Sequence, residues 1–226
     1  MQHFVPAPGG WESLVEAWER ELIAGLVEQV VFVLTSQGGP SQEAHRPGTG
    51  QRSGESERDS QILASLDFAM EDAAGQSRTT HSPRADAELT PLLEVLLPEA
   101  SEDPLTAVEV ASITRERLRS LKVERARIVM AQLREPTGQG ASVRVEAGTE
   151  QDWLGALNDL RLVLAQRLGI EDAQAAQDVH AVAWEDPPQE ESETERSRRA
   201  MSMVYDMLTW WQESLLTVLL SGDGPA

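Results

Sequence analysis

The chain of 226 residues contains no cysteine. Disulfides, thiol nucleophiles, thiol redox switches and cysteine-ligated metals are therefore excluded. Four histidines are present, and none has a second candidate ligand three or four residues away in a helical segment, so we expect no metal and no cofactor. The sequence also has no phosphate-binding loop, dinucleotide-binding turn or nucleophile elbow. These absences predict a protein that is not an enzyme.

Long hydrophobic runs are missing as well. The longest purely apolar run is the pentapeptide Val30–Leu34, whereas a membrane-spanning helix needs about 20 residues. The N-terminal residues have neither a basic start nor an apolar stretch of signal-peptide length. We therefore expect a cytoplasmic protein without membrane association.

Basic residues are scarce, since 19 of them stand against 38 acidic ones and the net charge is −19. Such a charge repels nucleic acids and anionic membranes, which excludes a protein that binds phosphates over its whole surface. The one basic cluster lies in a helix predicted from about Thr114, where Arg115, Arg119 and Lys122 share a face. We expect this face to bind an acidic protein partner in preference to free DNA. Pairing with the chain's own acids is the alternative, and direct DNA contact is left open.

The spacing of apolar residues predicts a mainly α fold, a multi-helix bundle with a small accessory β element of two or three short strands. A hairpin with its turn at Gly9-Gly10 precedes a helix from about Glu16 to Leu34. Thr149 and Asp152 resemble a capping box, and Gly169 is expected as a left-handed helix end. The sequence also predicts helices near 62–70 and 92–97, a helix that begins at Pro104, and a strand at 142–146. The remaining predicted helices cover about 114–133, 150–168, 172–182 and 194–220.

We expect a single domain over residues 1–226 with flexible insertions at about 36–60, 73–88 and 185–195. The first insertion is almost without aliphatic side chains. It cannot bury enough apolar surface to offset the entropy lost on ordering.

Two polar residues fall within apolar helical stripes. Arg161 lies in the stripe that runs from Trp153 to Leu168, and Gln212 lies near the middle of a stripe in the last helix. A guanidinium is costly to bury without acceptors. We therefore predict a polar network between these two helices through Arg161 and Gln212, with Asn158 and Asp159 as further members, and we interpret it as structural.

The last helix has a second apolar stripe. Met203, Met207, Trp210 and Ser214 share a face that points away from the main stripe. A helix that is apolar on two sides is either enclosed or meets a partner. We predict an interaction surface here, with a homodimer as the simplest arrangement, and full enclosure in the core is the alternative.

Three segments resemble an actinobacterial family long classed as a domain of unknown function. They cover residues 96–133, 153–170 and 205–220, and their most specific stretches are ALNDLRL at 156–162 and WQESL at 211–215. Members of that family are often encoded beside the Clp protease adaptor. The family also bears the name of an actinomycete oxidative-stress regulator.

The resemblance implies a regulatory protein that acts through protein–protein contacts. Its partner would be a sigma factor, as for a stress-response transcription regulator, or a Clp component, as for an accessory protein of Clp-dependent proteolysis. The chain departs from the family pattern in the insertion at 36–60 and in its lack of cysteine. Redox sensing through a thiol is therefore excluded for this chain.

Overall fold

The computed structural model describes residues 1–36, 83–98, 104–186, 188 and 190–221. Nearly all of the predicted insertion at 36–60, and the helix expected near 62–70, lie outside these residues. The described residues form six α-helices and one small sheet, which confirms the predicted mainly α fold with a small β element. The elements are β1 (Val5–Ala7), β2 (Gly10–Ser13), α1 (Ala17–Thr35), α2 (Pro83–Leu96), α3 (Pro104–Arg134), β3 (Val143–Glu146), α4 (Glu150–Leu168), α5 (Ala173–Trp184) and α6 (Glu193–Leu220).

The third helix is longer than its predicted bounds. The sequence predicts two helices that meet near Thr114, whereas α3 is a single helix of 31 residues. Neither glycine nor proline occurs in it after Pro104, so nothing interrupts its backbone hydrogen bonds. α2 likewise begins at Pro83, and the end of the insertion predicted at 73–88 is therefore helical.

Local side-chain contacts set the ends of the later helices. Thr149 does not form the predicted capping box with Asp152, because its Oγ1 donates to the carbonyl oxygen of Glu146 at 2.9 Å instead. Gly169 has φ 71° and ends α4 in the left-handed conformation, as predicted. Ser192 and Glu195 form a capping box at the start of α6, so the insertion predicted at 185–195 stops short of its expected end.

The strands form one antiparallel sheet in the order β1–β2–β3. Gly9, with φ 78°, makes the turn between the first two strands. A Cβ on Gly10 would lie 2.1 Å from the carbonyl oxygen of Val145, so only glycine lets β2 and β3 approach this closely. Val143 and Val145 are buried, which directs one face of β3 into the core.

Glu12 is a buried carboxylate on β2, the central strand of this sheet. It lies opposite Arg144 in the β2–β3 ladder and accepts from its Nε at 2.9 Å. Ser142 Oγ and the amide of Gln139 also donate to it, at 2.9 and 3.2 Å. Burial opposes ionisation, but these hydrogen bonds and the charge of Arg144 outweigh it and hold the pKa of Glu12 below its ordinary value of 4.5.

The helices pack around α4. α1 packs mainly against α3, while α2, α3 and α6 all contact α4, and α5 packs on α6. Three buried aromatic rings join the hairpin to α4 and α6. Trp211 stacks on Phe4 with ring centres 5.1 Å apart and meets Trp153 edge-on at 5.7 Å. The indole nitrogen of Trp211 donates to Ser13 Oγ at 2.9 Å, so its polar atom is satisfied in the core.

The hydrogen bonds of Glu12 make the stability of the protein pH-dependent. Glu12→Gln removes the charge and should lower the free energy of unfolding by about 1–3 kcal/mol at neutral pH. A lowered pKa in the folded state stabilises above the unfolded pKa, and the stabilisation is lost as the pH falls through the folded value. The difference between wild type and variant in urea unfolding should therefore shrink below pH 4.5. A difference that is constant with pH would contradict this interpretation.

Candidate protein-binding face

α6 buries one face against the hairpin and α4. The buried residues of that face are spaced three or four residues apart, as on one side of a helix; they are Val204, Leu208, Trp211 and Leu215. Since Trp211 is held by Phe4, Trp153 and Ser13, the opposite side of the same turn is directed away from the core.

A polar contact with α4 fixes the rotation of α6 about its axis. Arg161 donates from Nε to Thr209 Oγ1 at 3.0 Å and from Nη1 to Gln212 Oε1 at 2.9 Å. Its guanidinium also lies 5.5 Å from the ring centre of Tyr205, within range of a cation–π interaction. Gln212 Nε2 in turn donates to the carbonyl oxygen of Leu154 at 3.4 Å. α4 and α6 are thus joined by directional contacts as well as by apolar packing.

Two residues expected in this network lie elsewhere. Asn158 is exposed, and Asp159 is buried and accepts a hydrogen bond from Lys122 of α3. Asp159 and Arg161 are two residues apart, so their side chains leave α4 in different directions. One reaches α3 and the other α6, which corrects the prediction that they belong to the same network.

Large apolar side chains remain exposed on the outer side of α6. Met203 is 53 % exposed and Trp210 is 43 % exposed. Met207, between them, is half-buried, and the Trp210 ring meets the edge of His3 at 6.1 Å. Ser214 is half-buried and accepts from the amide of Phe4 at 3.3 Å. The described core therefore leaves Met203 and Trp210 at the surface and does not enclose them.

Trp184 of α5 extends this apolar surface. Asp206, which lies between Met203 and Trp210 along α6, accepts from the indole nitrogen of Trp184 at 2.8 Å and contacts His180 Nδ1 at 2.7 Å. These contacts hold the end of α5 against α6 while the Trp184 side chain stays 74 % exposed. We call the surface formed by Trp184, Met203, Asp206 and Trp210 the α5–α6 face.

Trp184 was not predicted from the sequence. The buried residues of α5 are Val179 and Ala183, and Trp184 lies outside the face that they form. A single apolar residue at the surface is normal in proteins, so this position of Trp184 gives no signal of function in the sequence. Its connection to α6 depends on Asp206, which is distant in sequence.

The basic cluster on α3 does not form the open docking face that the sequence predicts. Lys122 is buried and pairs with Asp159. Arg119 is mostly buried, with its Nε 3.8 Å from Glu116 Oε2, and Arg115 is half-buried. This side of α3 turns toward α4, so Lys122 contributes to packing between helices and is not available to a partner.

The pair formed by Lys122 and Asp159 is the main charge contact between α3 and α4. Burial raises the pKa of Asp159 above its ordinary value, while the hydrogen bond and charge of Lys122 and the charge of Arg125 act in the opposite direction. Arg125 lies against Gly155, where a Cβ would fall 2.0 Å from its Nη1. Glycine at that position lets the guanidinium approach α4 closely.

None of the described helices is long and apolar enough to cross a membrane. Within the same part of the chain, no group of three or more histidine or carboxylate side chains is arranged to hold a metal ion.

Comparison with known families gives one match over nearly the whole chain. A family model described as "Domain of unknown function (DUF2017)" matches residues 1–219. This confirms the resemblance to an uncharacterised domain family. No curated protein and no solved structure shows a significant match to the chain.

The ion pair between α3 and α4 predicts a characteristic pattern of stability changes. Lys122→Met leaves the buried Asp159 without its cation and should lower the free energy of unfolding by about 3–5 kcal/mol. Because the pKa of Asp159 would rise further, this variant should regain stability as the pH falls and the carboxyl is protonated. Adding Asp159→Val should restore most of the loss, since two apolar residues replace the pair. A double variant as unstable in urea as the single one would contradict this role.

Proposed function

The chain belongs to the DUF2017 family, and we propose that it is a non-enzymatic regulatory protein that acts through protein–protein contacts at the α5–α6 face. The observation that carries the proposal is the exposure of Trp184, Met203 and Trp210 around the half-buried carboxylate of Asp206. Exposed apolar residues that stand singly are normal in proteins, whereas a contiguous group of large ones is typical of an interaction site.

The residue types of this face support protein binding. Tryptophan and methionine are enriched in interfaces, because indoles bury a large area at low entropic cost and thioethers adapt to irregular surfaces. Tryptophan is also among the residues that contribute most to binding energy when a partner covers them. The α5–α6 face holds two exposed tryptophans and one exposed methionine.

The rigidity of the support favours the same proposal. Trp211 and Arg161 attach the inner side of α6 to the hairpin and to α4, and Asp206 attaches α5 to α6. A face held in this way loses little conformational entropy when a partner binds. Binding can therefore proceed with small changes in the backbone.

The identity of the partner is suggested by the family resemblance. A stress-response transcription regulator that contacts a sigma factor is our leading proposal, and a partner protein of Clp-dependent proteolysis is the second. Direct DNA binding is less favoured, because the net charge is −19 and Lys122 of the basic cluster on α3 is buried in an ion pair with Asp159. A homodimer through the α5–α6 face is a further outcome that the experiment must distinguish.

Two tryptophans with nearly equal exposure make a matched test. Trp210 lies on the α5–α6 face and is 43 % exposed, while Trp18 lies on α1 and is 44 % exposed. Trp210→Gln and Trp18→Gln should both fold, since surface substitutions usually change stability by about 0.5 kcal/mol or less. A protein captured from a lysate of the source organism by wild type and by Trp18→Gln should be lost with Trp210→Gln. Quantitative mass spectrometry measures the capture.

The captured protein is then purified and titrated calorimetrically with the three chains. Binding that weakens by about tenfold or more, or about 1.4 kcal/mol, in Trp210→Gln alone supports the proposal. The identity of the captured protein distinguishes a sigma factor, as the transcription proposal expects, from a component of Clp-dependent proteolysis. Equal binding by both variants, or loss only in Trp18→Gln, would contradict a functional α5–α6 face.

A further inference from the structure

We propose that the occupant of the α5–α6 face is a cationic amphipathic helix of a partner protein, an inference that rests on the proposed protein-binding function. The exposed apolar residues supply the anchors, and the charges around them select the partner. This inference goes beyond the existence of an interface because it specifies the chemistry of the bound segment.

The charges bordering the face are negative. Asp206 lies within it, between Met203 and Trp210, and accepts only from neutral or titratable groups, the indole of Trp184 and the ring of His180. Glu213 is exposed one turn after Trp210. Glu185 and Asp186 directly follow Trp184 and are exposed as well. Acidic side chains therefore flank the apolar residues on α6 and directly after the end of α5.

The nearest cations on α6 are engaged by the protein itself. Arg199 donates from Nε to Glu191 at 2.8 Å and from Nη1 to the carbonyl oxygen of Glu185 at 2.8 Å. Arg198 donates to the carbonyl oxygen of Leu168 at 3.4 Å. These contacts direct Arg199 toward the end of α5 and the loop after it, and Arg198 toward the end of α4. The four carboxylates beside the exposed tryptophans outnumber these cations: Asp206 contacts the titratable ring of His180, and Arg199 pairs with Glu191.

The shape of the apolar stripe fits a helix. The exposed Met203 and Trp210 lie seven residues apart on one side of α6, and the distance along the helix between them is about 10 Å at 1.5 Å per residue. That length corresponds to about two helical turns. An amphipathic helix laid along such a stripe presents apolar residues three and four positions apart, which is a common mode of peptide recognition.

Charge also argues against a second copy of this chain as the occupant. A symmetric dimer through the α5–α6 face would bring together the same acidic surface of both copies. Each copy would bring a net charge of −19, and facing like charges are unfavourable. A segment rich in lysine or arginine gains from the same field.

The experiment titrates the full chain into three fluorescently labelled synthetic helices of about 18 residues, or about five turns. The first has a leucine and tryptophan face with lysine and arginine elsewhere. The second keeps the apolar face and carries glutamate in place of the basic residues. The third has the composition of the first in scrambled order. We expect the first to bind about tenfold or more tightly than either of the others, measured by anisotropy.

Variants show whether binding occurs at this face and not through the overall negative charge. Met203→Ser changes no charge and should weaken binding of the cationic helix by about tenfold. The matched control is Phe32→Ser on α1, where Phe32 is 51 % exposed, and it should leave binding unchanged. Glu213→Arg should weaken binding by about tenfold at low salt, whereas the same change at exposed Glu21 on α1 should have a much smaller effect.

The outcomes separate this inference from the proposed function. Tighter binding of the acidic helix, with sensitivity to Met203→Ser, would overturn the cationic partner and leave protein binding at the face intact. Binding of the cationic and scrambled helices to the same extent in all variants would overturn the inference as non-specific charge attraction. A wild-type dimer that Trp210→Gln converts to a monomer, observed by sedimentation, would assign the face to a second copy and overturn it too.

Discussion

The packing of Trp211 between Phe4 and Trp153 is the contact on which the arrangement of the surface depends. It connects the N-terminal hairpin, α4 and α6 at one point, and the hydrogen bond to Ser13 prevents the indole from turning. Because Trp210 is the residue directly before it in the helix, fixing Trp211 inside the core fixes Trp210 at a neighbouring position on the outside. The adjacent tryptophans thus have opposite roles, one in folding and one at the surface.

Polar groups in the interior set which helix faces meet. Lys122 and Asp159 pair between α3 and α4, and Arg161 reaches Thr209 and Gln212 between α4 and α6. A buried polar group that has only one satisfactory partner disfavours alternative registers, although it adds little net stability. Different polar residues thus set the packing of α4 against α3 on one side and against α6 on the other. The same contacts remove cations from the surface, so that the exterior retains the acidic character of the composition.

The sequence contains enough information for the helical class, the left-handed end at Gly169 and the apolar stripe of Met203, Met207 and Trp210. These features follow from the period of a helix and from glycine chemistry, both of which are local. The burial of Lys122 could not be predicted in the same way. Periodicity places it on one face with Arg115 and Arg119, but which face is covered depends on the packing of α4, and Asp159 lies 37 residues further along the chain.

The contribution of Trp184 to the α5–α6 face could not be predicted for the same reason. The contact between Trp184 and Asp206 holds α5 against α6, although these two residues are 22 positions apart in the sequence. The helical pattern within α5 assigns Val179 and Ala183 to the core, but it does not predict which helix they pack against. Candidate sites formed by residues of one helix are therefore visible in a sequence, whereas sites formed by two helices require the fold.

The tryptophans themselves provide the most direct measurement of where a partner binds. All six lie in described parts of the chain, and ¹⁵N-labelled indoles give each a separate NMR signal. During titration with the cationic amphipathic helix, the signals of Trp184 and Trp210 should shift together and saturate at one concentration. Those of buried Trp11, Trp153 and Trp211 should change little, as should that of Trp18, which is exposed but lies on α1. Saturable shifts at Trp18 with none at Trp184 and Trp210 would contradict the assignment of function to the α5–α6 face.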